Sequence, residues 1–132
     1  MTIVVSPDVE VMAESCISAG LADLGLVDWP VATGIPDPRP DRFVQCVVTG
    51  GRKRNRRLAN HLVTARVHRP KAEAVECGEV ARCLAGVLEA AAETVSAVTK
   101  ASVESCERFD DPDLTEVAVY QVVVAWIIAI PV

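Results

Sequence analysis

The C-terminal stretch VAVYQVVVAWIIAIPV, residues 117–132, decides the fold. It contains no charged residue, and nine of its sixteen residues are Val or Ile, whose β-branched side chains fit a pleated strand better than a helix. A membrane-spanning helix needs about 20 apolar residues, and this stretch is shorter. We therefore predict a long, deeply buried strand and no membrane partner.

Two segments before this strand have helical patterns. In the first, Ser6 is a candidate N-cap, Pro7 a first helical residue and Gly25 a stop, with apolar residues recurring every three or four positions between them. In the second, residues 71–98, the same spacing recurs in an alanine-rich context. We predict two main helices, the second being the longer.

Strand patterns occupy most of the remaining chain. Residues 29–40 contain four prolines and are predicted to be an extended connector. Residues 42–49 and 61–68 alternate in polarity and are predicted to pair as a hairpin, with Gly50-Gly51 ending the first strand. A further strand is predicted at 101–109.

This order of elements predicts a single α+β domain over residues 1–132, with a small mixed or antiparallel sheet of about four strands and two main helices packed on one face. The last strand is apolar on both faces, so helices on one side would leave the other side exposed. We therefore expect an oligomer. The candidate oligomer or tube interface in this strand is Tyr120, Val122, Val124, Trp126 and Ile128.

The net charge of -5 conceals an uneven distribution. Residues 39–71 contain ten of the thirteen bases and one acid, whereas the rest of the chain is strongly acidic. A basic segment of this kind can contact nucleic acid phosphates or the acidic surface of a second copy. Its densest part is the predicted inter-strand loop 50–60, where the candidate electrostatic residues are Arg52, Lys53, Arg54, Arg56 and Arg57.

No pattern in the sequence points to catalysis, a cofactor or a metal. His61 and His68 are seven residues apart in one predicted strand and so lie on opposite faces. The five cysteines lack metal-ligand spacing and are expected to be reduced, buried apolar residues. The aspartates within 110–113 are expected to form a solvated turn, and no phosphate-binding glycine loop is present. We expect no enzyme, no cofactor and no metal site.

The chain resembles a known family in several segments. The stretch GIPDPRPDRFV at 34–44, the VTGG at 48–51, Asn60 before a strand that leads into an alanine-rich helix, and the DPD at 111–113 followed by Tyr120-Gln121 are similar to the tail terminator proteins of long-tailed bacteriophages, particularly those of actinobacterial hosts.

The resemblance implies a structural virion protein without catalysis. Members of this family form a ring, usually a hexamer, at the head-proximal end of the tail tube, where the ring stops tube polymerisation and offers a docking surface to head completion proteins. The implied partners are other copies of the chain, the tail tube protein and a head completion or connector protein. If the basic loop lines the channel of the ring, it would also contact the DNA in the lumen without sequence specificity. The implied location is the virion tail, with the host cytoplasm during assembly.

Two alternatives remain open at the level of sequence. One is another head-tail connector or neck component, which shares the size and the ring habit. The other is a small cytosolic nucleic-acid-binding module that uses the basic loop. The density of the RKRNRR loop at 52–57 departs from the family pattern. The sequence does not indicate whether this loop contacts DNA or protein.

Overall fold

The computed structural model of the chain describes residues 3 and 5–130. The helices are α1 (Val9–Asp23), α2 (Ala74–Glu89) and α3 (Ala91–Thr94), and the strands are β1 (Val31–Ala32), β2 (Phe43–Lys53), β3 (Leu58–Pro70), β4 (Val98–Arg108) and β5 (Val117–Ala129). The helices pack against a mixed five-stranded sheet, which confirms the predicted α+β class. The predicted end of the last strand, residues 131–132, lies outside the described residues.

The first helix begins two residues later than predicted. Asp8, not Ser6, is the N-cap, and its carboxylate accepts a hydrogen bond from the Val11 amide at 3.2 Å. At the other end Gly25 has a φ of 76°, a conformation that glycine adopts without a Cβ penalty. The predicted stop at Gly25 therefore agrees with the structure.

The predicted long helix at 71–98 is divided. Lys71–Glu73 forms a 3₁₀ turn, α2 ends at Glu89, and the short α3 leads into β4 at Val98. Near the end of α2, the Leu88 carbonyl accepts a hydrogen bond from the Trp126 indole at 2.9 Å. This contact fixes the end of α2 against the sheet, a tertiary effect that helical periodicity does not reveal.

The strand order is β1-β2-β3-β5-β4, so β5 lies between β3 and β4. The β1–β2 pair is parallel and the other pairs are antiparallel. Part of the segment predicted to be only a connector thus forms an additional edge strand, β1. The predicted hairpin is confirmed; β2 extends further than expected at its C-terminal end, and β3 at both of its ends.

The core lies between the helices and one face of the sheet, here called the covered face. Its fully buried side chains include Ile17 from α1, Leu84 from α2, and Val63 and Val124 from the sheet. The opposite face, here called the open face, carries the alternate residues of each strand. No helix in the described part of the chain is both long and apolar enough to span a membrane.

Candidate interaction surface

The open face has a partly exposed apolar centre. Cross-strand pairing places Val47, Thr64 and Val123 in one row and Leu62 beside Ala125 in the next. Leu62 is 41% exposed, and Val47, Val123 and Ala125 are partly buried. The β5 residues between the core residues therefore present apolar surface on the open face, and no described helix covers it. This agrees with the prediction that both faces of β5 are apolar.

The residues predicted to form the oligomer or tube interface lie on the wrong face. The side chains of Val122, Val124, Trp126 and Ile128 are fully buried in the core, and Tyr120 packs beside the core against Gly78. The open face is instead formed by their neighbours in β5, which are Gln121, Val123, Ala125 and Ile127. Side chains of a strand alternate between the two faces of a sheet. Because both sets of alternate residues in β5 are apolar, the sequence does not show which set faces the core.

The basic residues cluster at one end of the sheet. Arg52 and Lys53 end β2, and Arg54, Arg56 and Arg57 form the turn to β3. All five are exposed. The turn is built around Asn55, whose side-chain oxygen accepts hydrogen bonds from the amides of Arg57 at 2.8 Å and Leu58 at 3.0 Å. We call residues 52–57 the basic hairpin tip.

Gly50-Gly51 does not end β2 as predicted but forms a bulge within it. The two glycines have φ values of 92° and 84°, and the pairing register shifts between Gly50 and Arg52. Arg52 consequently pairs with Asn60 and faces the open side, in one row with Ile127 and Lys100. The bulge thus places the Arg52 cation on the open face. Without the bulge, regular alternation would have placed Arg52 on the covered face.

The helical layer carries the opposite charge. Its exposed acids are Glu10, Asp23, Glu76, Glu79, Glu89 and Glu93. Arg82 is the one base within α1, α2 and α3, all of which are fully described. The charge division seen along the sequence is therefore also a division in space, between the basic hairpin tip and the helices.

The end of the open face opposite the basic hairpin tip is closed over by loops. There the His68 ring stacks on Phe43 with centroids 4.2 Å apart, and the Arg39 guanidinium lies 2.8 Å from His68 Nδ1 and over the Phe43 ring. Burial, followed by the charges of Arg39 and Arg66, lowers the pKa of His68 to about 4. His68 is therefore neutral at pH 7. The alternation of residues 61–68 places His68 on one face of a strand but does not predict its burial.

The other candidate chemical groups stay apart. His61 and His68 lie on opposite faces, as predicted, and no cluster of three or more possible metal ligands occurs within residues 3 and 5–130. The expectation that all cysteines are buried is wrong for Cys83 and Cys106, which are exposed, and for Cys16, which is partly buried. The aspartates after β4 form a turn in which the Asp113 amide donates to Asp111 Oδ1 at 2.9 Å.

Comparison of the chain with protein-family models and with curated proteins gives no match.

Proposed function

We propose that this chain is a structural protein of the tail terminator type. It assembles as a ring of several copies, six in the resembling family, on the head-proximal end of a phage tail tube, stops tube polymerisation and offers a docking surface to head completion proteins. In this role it performs no catalysis and is located in the virion tail, and in the host cytoplasm during assembly.

One observation carries the proposal: the molecule has a basic end on its sheet and an acidic helical layer, together with an uncovered apolar face. A contact between the basic hairpin tip of one copy and the acidic helices of the next would join two different surfaces. Such a heterologous contact closes into a ring when the rotation between copies is a whole fraction of a turn. Apolar surface on the open face, around Val123 and Leu62, would supply affinity beyond the charge attraction.

The test uses purified tail tube protein from a long-tailed phage. Tube growth is followed by electron microscopy with and without this chain, and both the tube lengths and the tube ends are recorded. The proposal expects shorter tubes with a ring at one end. Unchanged lengths with bare ends would contradict it.

Charge variants connect this result to the surface. Arg54→Glu with Arg57→Glu should weaken ring formation, because it reverses two exposed charges of the basic hairpin tip. Arg42→Glu with Lys71→Glu is the matched control, with the same change in net charge at exposed positions outside the basic hairpin tip and outside α1, α2 and α3. Equal effects of the two pairs would mean that net charge, and not this tip, controls assembly.

The exposed basic hairpin tip also favours a second candidate, a nucleic-acid-binding module. Each phosphate contact should contribute a slope of about -0.9 to the dependence of log K on log salt for duplex DNA. Anisotropy titrations at several salt concentrations measure this slope. This candidate would be favoured over the ring by two results together. The native chain would bind DNA as a monomer and leave tail tubes unchanged, and the double variant Arg54→Glu with Arg57→Glu would lose the DNA binding.

A further inference from the structure

A cavity of about 240 Å³ lies at the closed end of the open face, between the sheet and the loop that follows β4. Its polar lining comes from Gln45, Arg66 and His68 on the sheet and from Asp110 and Asp111 on the loop. Its apolar lining is Ile35, Phe109, Pro112, Leu114 and Val119. The volume suits a small organic molecule of a few carbon atoms.

The hydrogen bond from Arg39 determines the tautomer of His68. A guanidinium has only donors, so the Nη2 that lies 2.8 Å from Nδ1 must donate to it, and Nδ1 carries no proton. The ring is neutral, so its proton is on Nε2. His68 is 4% exposed, and its Nε2 is buried without a partner in the described residues. A buried N–H donor without an acceptor costs free energy, and an oxygen acceptor would remove that cost.

Arg66 supplies a second donor group to the same cavity. Its Nε donates to Gln121 Oε1 at 3.0 Å, which holds the guanidinium against the sheet. In the described part of the chain, the structure assigns no partner to its two terminal nitrogens. A guanidinium held in this way can donate two parallel hydrogen bonds to a carboxylate.

The two aspartates of the lining are already engaged. Asp110 accepts from Arg108 Nε at 2.9 Å and from the Val119 amide at 3.0 Å. Asp111 accepts from the Asp113 amide, so both carboxylates stabilise the loop that forms the outer wall. Arg66 is the one cation among the described residues that line this cavity, and neither aspartate is hydrogen-bonded to it, so its terminal nitrogens remain for an added acceptor.

We propose that this cavity binds a carboxylate group attached to a small apolar body, with Arg66 and the His68 Nε2–H as donors and the apolar residues as the wall. Gln45 provides a further donor through its amide. The carboxylate can come from a free small acid or from an acidic side chain of a second copy, and the chemistry of recognition is the same. Neither the basic hairpin tip nor the helical layer contributes a residue to this site.

The experiment observes the His68 ring directly. Uniformly ¹⁵N-labelled protein is titrated with 3-methylbutanoate, and long-range ¹H–¹⁵N spectra report the imidazole nitrogens. The free protein should show the Nε2–H tautomer, and the ligand should shift Nε2–H saturably. The neutral isostere 3-methylbutanamide should bind at least about tenfold more weakly, because it cannot form charge-assisted hydrogen bonds.

Variants separate the site from general charge effects. Arg66→Gln should weaken binding at least about tenfold, and Arg66→Lys should give an intermediate loss, since a lysine keeps the charge without the fork. Arg42→Gln, at an exposed position outside the cavity, is the matched control and should bind like the native chain. The His68 resonance itself shows whether each variant keeps the native fold around the ring.

The same resonance distinguishes the two sources of carboxylate. If a second copy supplies the group, the Nε2–H shift will grow with protein concentration in the absence of ligand, together with the mass from sedimentation, and Arg66→Gln will abolish both. A resonance that responds neither to the free acid nor to protein concentration would overturn the proposal. So would equal responses to the acid and the amide, or an Arg66→Gln variant that binds as the native chain does.

Discussion

Trp126 and Leu88 join the central strand to the end of α2: the indole Nε1–H donates to the Leu88 carbonyl at 2.9 Å, and both side chains are fully buried. Trp126→Phe removes this donor, leaves a buried carbonyl without that partner and creates a small cavity. We expect the free energy of unfolding to fall by about 1–3 kcal/mol. Urea denaturation followed by circular dichroism measures the loss, and an unchanged midpoint would mean that the hydrogen bond contributes nothing.

Two adjacent valines in β5 test which face is in the core. Val124 is fully buried on the covered face, whereas Val123 is partly exposed on the open face. Val124→Ala should lower the free energy of unfolding by about 1–3 kcal/mol, and Val123→Ala by less than about 1 kcal/mol, when both are measured in dilute solution. If denaturant titrations show a larger loss for Val123→Ala than for Val124→Ala, the assignment of Val124 to the covered face and Val123 to the open face is wrong.

Two helical glycines should respond oppositely to alanine. A Cβ at Gly20 would lie 2.6 Å from Val87 Cγ1 and 3.2 Å from Val87 Cβ, so α1 and α2 would have to separate. Gly20→Ala should destabilise the chain by about 1–3 kcal/mol. Gly86, in α2, has nothing within 4 Å of such a Cβ, and Gly86→Ala should stabilise by about 0.5–1 kcal/mol.

Thermal denaturation of both glycine variants beside the native chain checks these signs. The double variant Gly20→Ala with Val87→Ala should recover part of the loss, since it removes the atoms that clash. Failure of this rescue would locate the effect of Gly20→Ala outside the α1–α2 contact.

His68 should make stability depend on pH. Its pKa is about 4 in the folded chain, against an ordinary value of 6.5, so between these pH values the unfolded chain binds the extra proton. Stability should therefore fall as pH decreases from 6.5 towards 4, by as much as about 3 kcal/mol from this group.

The variant His68→Gln isolates this contribution, because Gln can still accept from Arg39 and does not titrate. Denaturation midpoints at pH 7 and pH 4.5 should differ less for His68→Gln than for the native chain. His61, whose pKa burial also lowers, remains in both proteins and cancels in the comparison. Identical pH dependence in the two proteins would contradict the assignment to His68.

The cysteines should divide by reactivity. Burial raises the pKa of Cys46 to about 12 and that of Cys77 to about 11, whereas Cys83 and Cys106 are exposed. A short pulse of maleimide at pH 7.5 should label Cys83 and Cys106 first, and Cys46 and Cys77 only in denaturant. Peptide mass spectrometry identifies the sites, and early labelling of Cys46 would show that α1 opens from the sheet.

Local patterns in the sequence were sufficient to predict the α+β class, the hairpin and the strand at β5. These features depend on properties of neighbouring residues, namely the two-residue alternation of 42–49 and 61–68, and the β-branched content of 117–132. The charge division was also visible there, because ten bases fall within residues 39–71. Each of these conclusions needs no knowledge of which elements meet in space.

Tertiary structure decided which side of each element is buried. Both faces of β5 are apolar, so only the position of α2 above Val124 and Trp126 assigns the covered face, and the predicted interface residues are core residues for that reason. His68 lines a cavity because the loop after β4, which contains Asp111, packs over the sheet there, and Arg39 from another distant segment covers its Nδ1. The periodicity of a sequence shows which residues of a segment share a face. Whether that face is buried depends on the elements that pack against it, which is decided only when the helices pack on the sheet.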